Sequence, residues 1–257
     1  MAEGAKRGIT RWGAAALHFG VTVLIAAAVF AAIYFVWYPG ALFGAAGGRD
    51  LFLLIAGVAL VLGPVITLII YVPGKRGLAF DLVVLAAVQA AALGYGVWVL
   101  YESRPVWIVF VKDRFELVRA NQIVESERAK AKPPYDELSV TGPRVIGARM
   151  PSDPDEQLRI GLTGAAGQDL QTYPQYFVAY DEVRESAAAR GEPMRRLVEL
   201  NPGAEGEIAR VRAKAARPDE RLRFLPLRAG KRDLTVVVDA QGGEWIDAAA
   251  LRPWEYQ

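Results

Sequence analysis

Apolar and polar positions divide this chain into two unlike parts. Residues 17–38, 51–72 and 82–101 form three apolar runs of about twenty residues, none with an internal Asp, Glu, Lys or Arg. A helix rises about 1.5 Å per residue, so each run can cross a hydrocarbon layer of about 30 Å and pair all its backbone groups internally. The pattern predicts three transmembrane helices. Trp37, Tyr38, Tyr71, Trp98 and Tyr101 fall at or near the run ends, where amphipathic rings favour the headgroup layer. The first run is too long for a signal-peptide core and ends in WYPG with no small-x-small cleavage site, so it is expected to stay in the mature chain.

Beyond residue 101 the pattern changes. VWIVFV at 106–111, a polar break at Lys112-Asp113-Arg114 and FELV at 115–118 predict a β-hairpin. RVIGARM, QYFVAY and RFLPLR read as shorter strands, and DLTVVVD, Gly242-Gly243 and EWI as a second hairpin. Residues 181–200 predict two short helices broken at Gly191 and Pro193, and 205–216 an amphipathic helix ending before Pro218. The segments 130–134 and 151–168, rich in Pro, Gly and Asp, read as loops. The predicted architecture is a three-helix membrane region, 1–101, followed by an α+β domain, 102–257, with no internal repeat.

Charge sharpens this division. Of 30 Lys/Arg and 28 Asp/Glu in 257 residues, only six and three fall before residue 102. Lys6, Arg7 and Arg11 precede the first run, Arg49 is offset by Asp50, and Lys75 and Arg76 fill the second connection. The positive-inside rule then puts the N-terminus and the YVPGKRG loop in the cytoplasm and the α+β domain outside, in the periplasm if the membrane is a bacterial inner membrane. The cytoplasmic parts are too small for a catalytic or output domain, which argues against a signalling receptor.

Candidate chemistry is sparse. With no cysteine, the chain has no disulfide, thiol nucleophile or Cys-ligated metal. The one histidine, His18, sits at the entry of the first run and reads as an interfacial filler, the alternative being a proton relay or ligand. Without a histidine in the outer domain, a Ser-His-Asp triad there is excluded. The carboxylate pairs Glu125/Glu127, Asp153/Asp155 and Asp181/Glu182 read as solvated surface. Nine Lys/Arg between Arg210 and Arg232 face only Asp219 and Glu220; outside the cytoplasm nucleic acid is not the expected partner, leaving a solvated face, anionic headgroups or an acidic protein. No catalytic residue, metal or cofactor is expected.

Within the apolar runs the informative positions are Gly63, Pro64 and Thr67 of the second and Gln89 of the third, with Gly57, Gly94 and Gly96 nearby. Small residues let helices approach closely, Pro64 frees a backbone carbonyl, and an amide in lipid seeks a partner. Gln89 either holds these three helices together or meets a foreign membrane helix.

The order of several strings carries a resemblance: VWYPGALF, LVLGPVITLIIYVPGKR, FDL, Gln89 followed by LGYG, RPVWIVFVKDRFELV, TGPRVIGARMP, and LTVVVDAQGGEWI with LRPW. Across nearly its whole length the chain resembles the type IV pilin accessory proteins, the TfpX/TfpZ-like group. The resemblance implies a non-enzymatic protein of the Gram-negative inner membrane that stabilises a cognate major pilin and promotes its assembly, and it supplies no catalytic residues. A pilin of that kind awaits assembly with a hydrophobic helix in the membrane and a head outside it. The partners expected are therefore that major pilin and the lipid bilayer. Another reading is a membrane-anchored structural subunit of a different envelope complex.

Overall fold

In the computed structural model, residues 9–165 and 167–255 are described, and they form two bodies. The first holds the chain up to Ile33 and Arg49–Tyr101; the second holds Tyr34–Gly48 and everything from Glu102.

The first body is built from α1 (Arg11–Ala32) and two further long helices on either side of a short loop. Thr10 caps α1 by accepting from the amide of Gly13, and the helix runs on into a π-turn at Ile33–Trp37. A short helix, α2 (Leu42–Ala45), leads into α3 (Gly48–Ile70), and α4 (Leu78–Glu102) follows the Lys75 turn, where Lys75 pairs with Asp81. All three long helices are long and apolar enough to cross a membrane, with mean hydropathies of 2.5, 2.8 and 1.9, and most of their surface faces outward. That is the signature of a multi-pass membrane protein, whose outward faces meet lipid. The charges at Lys6 and Arg7 lie outside the described residues.

The second body is the α+β domain. Its central hairpin is β1 (Pro105–Val111) and β2 (Arg114–Arg119), antiparallel as the sequence predicts, with Lys112 in the left-handed region at the turn. A single turn, α5 (Glu125–Arg128), precedes β3 (Arg144–Ala148), which pairs parallel to β1. Next come α6 (Pro154–Gly164), the edge strand β4 (Phe177–Ala179), α7 (Arg184–Arg190), the two-residue β5 (Glu192–Pro193), α8 (Met194–Leu200) and α9 (Glu205–Ala215). The chain closes with β6 (Leu222–Arg228), parallel to β2, then β7 (Leu234–Asp239) and β8 (Trp245–Ala249) as an antiparallel hairpin. The mixed sheet runs β4-β3-β1-β2-β6-β7-β8, with β5 beside β6.

All seven residues of β1 are buried, as a central strand covered on both faces requires. On one face Trp107, Val109 and Ile146 pack with Ile160 of α6, Leu170 and Tyr173. A second core joins α8 and α9 to β6–β8 through Leu197, Val211, Phe224 and Val237.

One expectation needs correction. The segment 151–168 is not a loop throughout, because Asp153 caps α6, Pro154 occupies its first turn and Asp155 and Glu156 follow. The residues read as loop composition are a helix start signal, and Ile160 supplies the buried contact. Residues 34–48 pack with the second body. The reason is hydrogen bonding: Ala45 O accepts from the amides of Lys231 and Arg232, and Arg119 Nη2 donates to Ala46 O at 3.0 Å. Tyr38 is buried against Gly48, with its hydroxyl 3.2 Å from Ser103 Oγ. Gly142, at φ +101°, lets the 139–142 turn pass Val36 O where a Cβ would come within 2.8 Å.

Asp239 closes the last hairpin. Burial by itself would raise its pKa, but the amides of Gly242 and Gln241 and the Arg221 guanidinium more than offset this and hold the carboxyl below its usual range. A depressed pKa means the stabilisation is present at neutral pH and is lost as pH falls through the folded-state value. Asp239→Asn should therefore cost about 1–3 kcal/mol at pH 7. Thermal unfolding followed by tryptophan fluorescence checks this: the gap between wild type and variant should narrow once pH drops below about 4.

Candidate functional site

Polar side chains among the three long helices are few, and His18, Thr67 and Gln89 make contacts between helices. His18 Nδ1 of α1 lies 2.6 Å from Thr67 Oγ1 of α3. Thr67 also donates to Gly63 O at 2.9 Å. A hydroxyl has one proton, so with that proton given to Gly63, the hydrogen in the His18 contact belongs to Nδ1. Thr22, one turn on, returns its own hydroxyl to His18 O. His18 thus links α1 to α3, and Thr67 is buried at 2% exposure.

Gln89 makes the corresponding link between α4 and α3. Its Nε2 donates to Ala59 O at 3.1 Å, while its Oε1 is buried without a hydrogen-bond partner. The amide rests directly on Gly63, where any Cβ would collide with it. Gly63 is therefore fixed by contact with Gln89, and Pro64, beside it, removes one amide from α3 without ending the helix. Gly96 does the same service further along, since a Cβ there would come within 2.9 Å of Ile55.

The four residues singled out in the sequence consequently fall on two seams. Thr67 belongs to the α1–α3 seam with His18; Gly63 and Gln89 form the α3–α4 seam, with Pro64 next to it. Between the helices lies a cavity of about 200 Å³, lined by His18, Thr22 and Gln89 among apolar side chains. On the α3–α4 side an apolar groove of about 460 Å³ passes Leu62, Gly63, Ile66, Gln89, Ala92 and Gly96. Sequence reasoning missed the His18–Thr67 pair, because the two residues lie 49 positions apart and neither sits in a recognisable motif.

The carboxylate pairs of the outer domain are occupied locally. Glu127 is held by Lys130, Arg159 and Gln175, Glu125 by Arg128, Asp181 by Arg184 and Glu182 by Arg149. Asp153 is the α6 cap. Among the described residues no group of His, Asp and Glu could hold a metal ion.

The α1–α3 link can be measured. Membrane hydrogen bonds are worth roughly 0.6–2 kcal/mol, so His18→Ala and Thr67→Val should each lower the thermal stability of the detergent-solubilised protein by an amount in that range. If the pair acts as one unit, the double variant should lose little more than either single change.

No family model matches the chain, and no solved structure does. Curated proteins do match. The fimbrial assembly proteins of serogroup I and serogroup E1 of Dichelobacter nodosus are each 28% identical to it over 214 residues, covering 82% of this chain and 83% of theirs. The fimbrial assembly protein of serogroups C1 and C2 from the same organism is 32% identical over 117 residues, 45% of this chain and 89% of that protein. With a three-span membrane body, an α+β domain and relatives that share most of its length, the chain belongs to the fimbrial assembly proteins, the type IV pilus accessory family that its sequence resembles.

Proposed function

We propose that the protein binds a type IV major pilin in the bacterial inner membrane and stabilises it for assembly, acting by contact and without catalysis. A role in pilus assembly comes with the family; the mode of action is our reading. The observation that carries it is the α3–α4 groove, in which small residues and one buried, unpartnered amide oxygen meet among apolar side chains. A carbonyl oxygen in hydrocarbon gains from any donor brought to it, and small neighbours leave room for a helix backbone to come close. The pilin's membrane helix is the proposed occupant, with Gly63 and Gln89 at the contact and Pro64 beside it; Thr67, buried with His18, supports the groove from behind.

In this reading the N-terminus is cytoplasmic and the α+β domain periplasmic, where it can meet the pilin head. Two weak contacts on one scaffold reinforce each other through effective concentration, so neither need be tight alone. No cofactor is required.

Photo-crosslinkers placed at positions 66 and 92, on either wall of the groove, test the membrane contact in cells that make pili. Adducts with the pilin's membrane helix are expected, and Gln89→Leu should reduce them several-fold, consistent with a bond of roughly 0.6–2 kcal/mol. Adducts confined to this chain, with pilin still crosslinking to the outer domain, would move the binding site there. Normal levels and surface assembly of the major pilin after deletion of the gene would sink the reading altogether.

A further inference from the structure

The basic run ending at Arg232 is not uniform. Arg210 and Lys214 pair with Asp247, Arg212 with Asp219, Arg217 with Glu244, and Arg221 with Asp239. Arg223 donates to the carbonyls of Glu220 and Leu222, and Arg228 lies 3.6 Å from Glu116. The three basic charges on α9, and most of those that follow it, are thus neutralised within the domain. Arg232 differs: it is exposed, and its guanidinium has no partner among the described residues. The same is true of Arg252, which arrives from the C-terminal segment. Both line one cleft of about 490 Å³ with Lys231, opposed there by a single carboxylate, Asp233.

The place of this cleft along the chain is as telling as its charge. The amides of Lys231 and Arg232 are bonded to Ala45 O, and the side-chain methylenes of Lys231 lie against Gly47. Ala45 stands three residues before Gly48, the first residue of the membrane-spanning α3. Three residues of chain reach at most about 11 Å, and a headgroup layer is roughly 5–8 Å thick on each side of the hydrocarbon. The backbone of Lys231 and Arg232 is therefore tied, through Ala45 and three residues of chain, to the start of a membrane-spanning helix.

We propose that Arg232 and Arg252, with Lys231, form a binding site for the phosphate of an anionic phospholipid headgroup. A guanidinium presents a planar fork that matches a phosphate, and one without an internal partner gives up no ion pair to bind it. This assignment does not depend on the pilin-binding reading, because it rests on charge pairing and on the Ala45 bonds alone.

The test uses the full chain reconstituted in phosphatidylcholine bilayers carrying spin-labelled phosphatidylglycerol or spin-labelled phosphatidylcholine, and reads the fraction of each label immobilised at the protein. Wild type should select phosphatidylglycerol, and the Arg232→Gln/Arg252→Gln variant should lose most of that preference, at roughly five-fold in relative association per arginine. A control that removes the same charge elsewhere, Arg195→Gln/Arg212→Gln, should keep it. Equal loss in the control would overturn the site in favour of net charge, and an unchanged preference in the Arg232/Arg252 variant would overturn it outright. Saturable binding of inorganic phosphate that depends on Arg232 and Arg252, with no wild-type preference for phosphatidylglycerol, would also overturn it, assigning the cleft to a free anion.

Discussion

Hydrocarbon offers no hydrogen bonds, and the membrane body of this protein is shaped by that constraint. A polar group placed inside it gains most from a partner on a neighbouring helix, so where such groups pair, they fix which helices touch and where. His18 meets Thr67 and Gln89 meets Ala59; α3, the helix common to both contacts, becomes the one on which the other two register. Apolar packing alone would leave rotation and slide weakly specified, since side chains in lipid gain little by exchanging a lipid contact for a protein one.

The outer domain follows aqueous rules. Its hairpins are set by β-branched runs and tight turns, and its charges largely cancel in local pairs. What is unusual is that it incorporates Tyr34–Gly48, a stretch bounded on both sides by membrane helices. Main-chain carbonyls of Ala45 and Ala46 take part in the capture, beside the buried Tyr38 and Leu42. Backbone recognition of that kind needs small side chains in the captured segment, and the run GAAGG supplies them.

Much of this was legible in the sequence, for local reasons. The spans, both hairpins, and the helices α7, α8 and α9 announce themselves by periodicity, turn residues and breakers that act within a few positions of one another. The failures are non-local or compositional. The parallel pairing of β1 with β3 and β2 with β6 joins distant segments, and no short-range pattern encodes it. The start of α6 uses Asp153 and Pro154, residues that also compose loops, and only their order distinguishes a cap from a turn. At the candidate site, small residues and a lone amide were visible, whereas their assignment to two separate seams required knowing that Thr67 faces α1 and Gly63 faces α4.

The seat of Gln89 on Gly63 also bears on how such proteins can drift. A glycine that accommodates a long amide cannot gain even a methyl group while that amide stays, and the amide has little reason to remain in lipid once its seat is filled. Positions 63 and 89, twenty-six residues apart in the chain, are therefore under a single constraint. A change at either position is accommodated most readily by a matching change at the other, exchanging a polar joint for an apolar one.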